Sequence, residues 1–295
     1  MTDRKPLDAT AFGVMVLLCV AWGFQHVAIK LTAPEVSLLM QGGIRSIIAT
    51  LLVFLWARWR GIALFTRDGT LWTGSAVGLL FALEFVFIYF GLGHTAASRM
   101  TVFVYLAPVI AAFGLHLLVP GERLGAVQWL GVLLGFAGVV VAFSEGFFAA
   151  RSSTLLGDVC GVLAAILWAA TTVGIRATSL ARVAATKTLF YQIGFAAIVL
   201  PLASLAIGER GVVSLGAFAI ASLAYQSVIA GFACLLAWFW LLRRYLAARL
   251  GVLSFLTPMF GVLAGVVILS EPFSATFAMA VLLVGAGIVL VNLRR

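Results

Sequence analysis

The sequence predicts an all-α integral membrane protein: ten transmembrane helices in two inverted five-helix repeats around a central cavity. Three observations carry this. Of 295 residues, 64% are hydrophobic and only 10% charged, whereas a soluble domain holds roughly 45–50% apolar and about 25% charged residues. Apolar runs of about 20 residues, long enough to cross a bilayer, follow one another with short breaks. One of them, Ala97–Glu122, is echoed by Ala247–Glu271.

The first run, near 10–30, follows Arg4 and Lys5 and continues to about Ile29 without a small-residue cleavage site, so it reads as a membrane helix rather than a signal peptide. The second and third, near 34–57 and 70–93, each carry one central charge, Arg45 and Glu84. The fourth, near 98–119, holds Pro108, and the fifth spans about 124–144. Five more follow near 155–177, 183–206, 214–242, 246–269 and 273–293, with Pro258 in the ninth. A proline inside such a run removes a backbone donor, which lipid tolerates only where protein or a water-lined cavity satisfies the freed carbonyl.

The two halves, 1–147 and 148–295, match element by element. Arg99 pairs with Arg249, Pro108 with Pro258 and, after one residue of slippage, Glu122 with Glu271. Trp22 to Lys30 and Trp168 to Arg176 share a spacing, and Val132–Val139 matches Val281–Ile288. Five spans per half is an odd number, so the halves cross in opposite senses. Lysine and arginine agree: with both termini cytoplasmic, fourteen fall on inner segments and four on outer ones, with Arg45 inside a span. Inverted repeats containing a duplicated interrupted helix are the architecture of alternating-access transporters, with the site near the midplane.

Tryptophan early in the first helix of each half, Ala-Pro or Thr-Pro in the fourth and a Gly-Glu or Ser-Glu ending resemble the EamA family of the drug/metabolite transporter superfamily. The most specific stretches are LAPVIAAFGLHLLVPGERL and LTPMFGVLAGVVILSEPF, and the likeness covers essentially the whole chain. Within the family the chain is similar to the YddG-type bacterial amino-acid exporters. The resemblance implies a helical basket that moves small metabolites outward across the bacterial inner membrane.

Arg45 and Glu84 lie at similar depth, and a charge there costs about 2.5–3.5 kcal/mol to insert, so each needs a partner or a purpose. A structural ion pair is one reading. Contact with a zwitterion is another, Glu84 to its ammonium and Arg45 to its carboxylate; a coupling proton on Glu84 is a third. Trp22 and Trp168 lie mid-span, where tryptophan is not belt behaviour; Gln25 and His26 follow Trp22 by one turn, and Thr171 and Thr172 follow Trp168. They are either core packing or cavity walls able to stack on a side chain or hold a cation over a ring. Thr101 and Tyr105 precede Pro108, and Ser254 precedes Pro258, so these hydroxyls and the freed carbonyls are further binding candidates, with the prolines as hinges. Gln192 and Gln226 need buried partners.

Several classes are excluded. Scattered basic residues argue against a nucleic-acid partner. Cys19, Cys160 and Cys234 form no CxxC or Cys/His cluster, and His26 has no companion at metal-ligand spacing, so no metal or cofactor is expected. Without a Walker A loop, H-E-x-x-H or Gly-x-Ser-x-Gly, neither an ATP-driven pump nor an enzyme is expected. Small-xxx-small pairs at Gly74/Gly78, Gly131/Gly135 and Gly261/Gly265 predict close packing inside the bundle, or a homodimer through spans five and ten; a monomer is equally compatible. The expected function is export of neutral or aromatic amino acids, methionine-like, or similar metabolites. The alternatives are another solute class (nucleobases, cationic drugs, sugars) and a non-transporting lipid-handling or receptor protein.

Overall fold

The computed structural model describes residues 7–95, 97–144, 148, 155–269 and 275–293. Glu271, Arg4, Lys5, Arg151, Arg294, Arg295 and the side chains of His26 and Gly265 lie outside the described residues. Ten apolar spans follow in order: α1 (Ala9–Thr32), α2 (Leu38–Trp59), α3 (Leu71–Leu92), the pair α4 (Ala97–Val104) and α5 (Ala107–Leu118), and α6 (Ala126–Ala142). The second half supplies α7 (Leu155–Ala177), α8 (Ala185–Ala206), α9 (Ala217–Arg244), the pair α10 (Ala247–Leu253) and α11 (Leu256–Leu269), and α12 (Ala275–Asn292). Among the described residues nine spans are long and apolar enough to cross a membrane; α6, at 17 residues, is shorter. It is about 25 Å long, somewhat less than the hydrocarbon core.

The fourth and ninth spans break at Pro108 and Pro258, whereas α8 runs unbroken through Pro201. A helical residue donates to the carbonyl four positions back, so Pro108 leaves Val104 without its donor and Pro258 leaves Ser254 without one. The chain answers with tighter turns. Leu106 N–H donates to Phe103 O (3.1 Å), Phe255 N–H to Val252 O (3.2 Å), and Thr257 N–H to Ser254 O (2.9 Å). The helices stop at Val104 and Leu253 and restart at Ala107 and Leu256.

Span eight holds a feature that the repeat does not share. Tyr225–Cys234 of α9 is wound as a π-helix, whereas the matching part of α3 is ordinary α-helix. Runs of π-helix are rare and are frequently found at functional sites.

Packing reproduces the inverted repeat. The equivalent helices α6 and α12 pack on each other, as do α2 and α8. Contacts of α3 with α7 and α8 have counterparts in α9 with α1 and α2, and α5 on α7 corresponds to α11 on α1. Where α6 meets α12 the backbones touch: a Cβ at Gly131 would fall 2.7 Å from the Gly287 carbonyl, and one at Gly138 2.9 Å from the Ala280 carbonyl. The glycine pairs therefore serve packing inside the bundle, with Gly74 and Gly78 against Tyr191 and Phe195, and Gly261 against Gly23. The outer surface is apolar, with Leu17, Trp72 and Leu282 exposed, as lipid requires.

Polar ties close both ends. The N face is here the end of the bundle at which α1 begins; the far face is its opposite. On the far face Glu209 accepts from Ser37 (2.9 Å) and Ser204 (2.6 Å), and Glu35 accepts from the Gly216 amide (2.6 Å). There too Asp158 of α7 receives Arg99 of α4 (2.5 Å) and Thr95 (2.8 Å). On the N face Lys187 reaches Asp68 (2.7 Å) and Thr66 (2.9 Å). Lys187, with help from Thr70, holds the Asp68 carboxyl well below the usual carboxylate range.

Candidate functional site

The centre of the bundle is organised by α2 and α3, which run antiparallel. Tyr89 of α3 packs where α2 carries Gly42, since a Cβ there would meet the Tyr89 ring at 2.8 Å. Three residues on from Gly42 comes Arg45, and five back from Tyr89 comes Glu84. Each is 6% exposed. Arg45 lies within electrostatic reach of Glu84, yet the two form no ion pair, and neither makes a hydrogen bond to any described residue. The direct ion pair left open by the sequence is not formed. Instead the Arg45 guanidinium sits over the Phe85 ring, 4.7 Å from its centroid. An arginine and a carboxylate buried without partners are costly, so groups of complementary charge belong between them.

Around this pair the predicted residues divide into two sets. Trp22 of α1 donates its indole N–H to Ala230 O in the π segment (3.4 Å) and meets Trp238 edge-on at 6.1 Å. Gln25, one turn further, is buried. Gln226 is committed elsewhere: its amide donates to Gln41 (3.0 Å) and Ser222 (3.1 Å), in a network that binds α1, α2 and α9, while its carbonyl oxygen stays unpaired. Gln192 is buried with both amide atoms unpaired.

The second set lies at the breaks. Trp168 of α7 meets Tyr105 edge-on at 5.9 Å, and Tyr105 lies 6.3 Å from Phe255. Tyr105 is buried beside Thr257, which also neighbours Cys19 of α1. Thr101 accepts from the Tyr105 amide (3.0 Å) through its carbonyl, and the Ser254 hydroxyl donates to Gly251 O (2.6 Å). The Ser254 hydroxyl is thus used in the helix break itself. Thr172 is buried next to Thr171, whose hydroxyl has no partner. One tryptophan therefore contacts the π segment near Arg45, and the other caps the paired breaks.

Below these aromatic groups the N face is locked. Glu122, in the turn between α5 and α6, accepts from the Arg176 guanidinium of α7 and from the amides of Ala247 (3.2 Å) and Ala248 (3.4 Å) at the start of α10. Arg176 also donates to the carbonyls of Leu242 and Tyr245 (3.2 Å for the latter). The Tyr245 hydroxyl donates to Asp8 at the start of α1 (2.8 Å). Both charged side chains of the lock are almost wholly buried. Lys30, the repeat counterpart of Arg176, is exposed at the far face. Sequence reasoning treated Glu122 and Arg176 only as markers of the repeat; their joint alignment with Glu271 and Lys30 was the signal that they act together. Phe85 and Gly231 carried no signal, being one of 23 phenylalanines and one of 30 glycines.

Comparison with known proteins fits this arrangement. The model of the EamA-like transporter family matches twice, over residues 10–144 and 155–293. An uncharacterized transporter of Archaeoglobus fulgidus is 27% identical over 257 residues, covering 84% of this chain and 85% of the relative. The uncharacterized transporter YvbV of Bacillus subtilis is 25% identical over 293 residues, covering 98% and 93%. A solved crystal structure superposes with a TM-score of 0.81 over 96% of this chain and 98% of its own, at 22% identity, a likeness of fold. The chain belongs to the EamA-like transporter family and is a multi-pass membrane transporter rather than an enzyme.

Proposed function

We propose that the protein exports neutral amino acids, aromatic or methionine-like, or closely related zwitterions, across the bacterial inner membrane by alternating access, with both termini and the N face cytoplasmic. The observation that carries this is the central arginine and glutamate, buried at one level without ion pair or hydrogen bond among the described residues. They match the carboxylate and ammonium of a zwitterion, while Phe85, Trp22 and Trp168 offer apolar surface to its side chain. Family membership supports transport, the resemblance to YddG-type exporters supports amino acids and the outward direction, and the arginine bias supports the orientation. Pro108 and Pro258 are the proposed hinges.

Counterflow of labelled amino acids in proteoliposomes tests this. Saturable exchange of methionine or phenylalanine, competed by other neutral amino acids, is the expected result. Absence of flux across a broad amino-acid panel, with flux of a nucleobase, sugar or cationic drug in the same vesicles, overturns it.

A further inference from the structure

We propose that Phe85 is the positioning residue of this site: its ring holds Arg45 off Glu84, keeping both charges free for a ligand that carries both signs. The inference rests on the reading of Arg45 and Glu84 as the substrate-binding pair.

Opposite charges at one depth in an apolar bundle attract strongly, because little solvent screens them. A cation over a phenyl ring gains less than one against a carboxylate. Left to themselves, Arg45 and Glu84 would close on each other, so something must hold the arginine where it is. Two walls do. On one side stands Phe85, itself fixed within a ladder of rings along α3, with Phe81 at 5.0 Å and Tyr89 at 5.9 Å. The top of that ladder, Tyr89, fits against Gly42, one turn before Arg45 on α2. On the other side the π segment brings Gly231 against the aliphatic stem of Arg45: a Cβ there would lie 3.2 Å from Arg45 Cγ and 3.4 Å from Ala49 Cβ. The stem is gripped between a helix wound out of register and a stacked ring.

The arrangement has a functional logic. Phe85 follows Glu84 directly on α3, so one helix carries both the carboxylate and the ring that competes with it for the arginine. A ligand with an anionic and a cationic group on neighbouring atoms breaks no ion pair when it enters; it meets two open half-pairs. A collapsed ion pair would have to be broken first, and affinity would fall by the strength of that pair.

The test begins without ligand. Arg45→Gln and Glu84→Gln are combined in a double-mutant cycle read by thermal unfolding of the purified full-length protein, once with Phe85 and once with Phe85→Leu. The expected result is weak coupling with Phe85, markedly stronger coupling with Phe85→Leu, and weak coupling again with Phe85→Tyr, which keeps the ring. Coupling as strong with Phe85 as with Phe85→Leu overturns the proposal. Should the leucine variant not assemble, Phe85→Met removes the ring at similar volume and serves in its place. In methionine counterflow, Phe85→Leu is expected to raise the half-saturating concentration about tenfold without a matching loss of maximal rate, and Phe85→Tyr to restore it. A normal half-saturating concentration in Phe85→Leu overturns the proposal as well. The expected unfolding cycles, combined with no amino-acid flux in the unsubstituted protein, support Phe85 as a spacer and overturn the amino-acid reading alone.

Discussion

Arg45 and Glu84 differ from a structural ion pair in what their removal should do. Breaking a buried pair strands one charge and costs about 3–5 kcal/mol. Here no such pair is formed among the described residues. Glu84→Gln is therefore expected to leave the melting temperature unchanged or higher. It should raise the half-saturating concentration for a zwitterion by about tenfold or more, because a charge-assisted hydrogen bond is worth about 1.5–3 kcal/mol. Differential scanning fluorimetry beside counterflow checks both halves, and a lower melting temperature would return the pair to a structural role. At this scale the sequence was informative where it was unusual. Two charges in an apolar background announce themselves, as do mid-span tryptophans. It was silent on Phe85, because position relative to Arg45 and not residue type gives that ring its importance.

At the scale of helices, the prolines were legible to within a few residues, since the missing donor of each dictates which carbonyl is freed. All ten spans end within four residues of their expected limits. The π segment was not legible. In a helix that is apolar on every face, winding with one more residue per turn moves no polar residue to a visibly wrong side, so the pattern contains no trace of it. Gln226 shows the same limit. Its burial was foreseen, but its commitment to Gln41 and Ser222 depends on how α1, α2 and α9 meet. For the hinges, Pro258→Ala supplies the N–H that an α-helical bond to the Ser254 carbonyl needs, in place of the tighter Thr257 bond, and is expected to straighten span nine. The melting temperature should rise, while maximal transport rate falls about tenfold with little change in half-saturating concentration. An unchanged rate would remove Pro258 from the moving parts.

For the whole molecule, the lock of Glu122 and Arg176 is the buried ion pair that ties the N face together. It joins the turn between α5 and α6 to α7, α9 and α10 at the N face, whereas its counterpart Lys30 at the far face is exposed. Glu122→Gln strands Arg176 and should weaken the closed N face by about 3–5 kcal/mol. A cysteine placed at Leu180, 1% exposed behind Arg176, then becomes reactive to an impermeant maleimide from the N face, in a protein whose three native cysteines are replaced. Labelling no faster than in the Glu122 parent would show that other contacts close this end. Span number, inversion and family were all readable from the chain. The lock across the N face was not, because it depends on how the turn after α5 meets α7 and α10.

The crossing of α6 and α12 has one more consequence. Gly131 lies against Gly287, and Gly138 against Ala280; under the alignment of the halves these are one contact made twice, each helix offering the other what it receives. That is the geometry of an isologous interface, the kind by which two copies of a subunit join about a twofold axis. The seam between the halves thus has the form of an assembly contact and does not depend on the covalent link between α6 and α7. Residues 1–147 and 148–295, produced as separate polypeptides in one membrane, are accordingly expected to copurify and to recover transport. Gly131→Leu, which drives a side chain into the partner helix, should abolish that recovery more completely than it impairs the single chain.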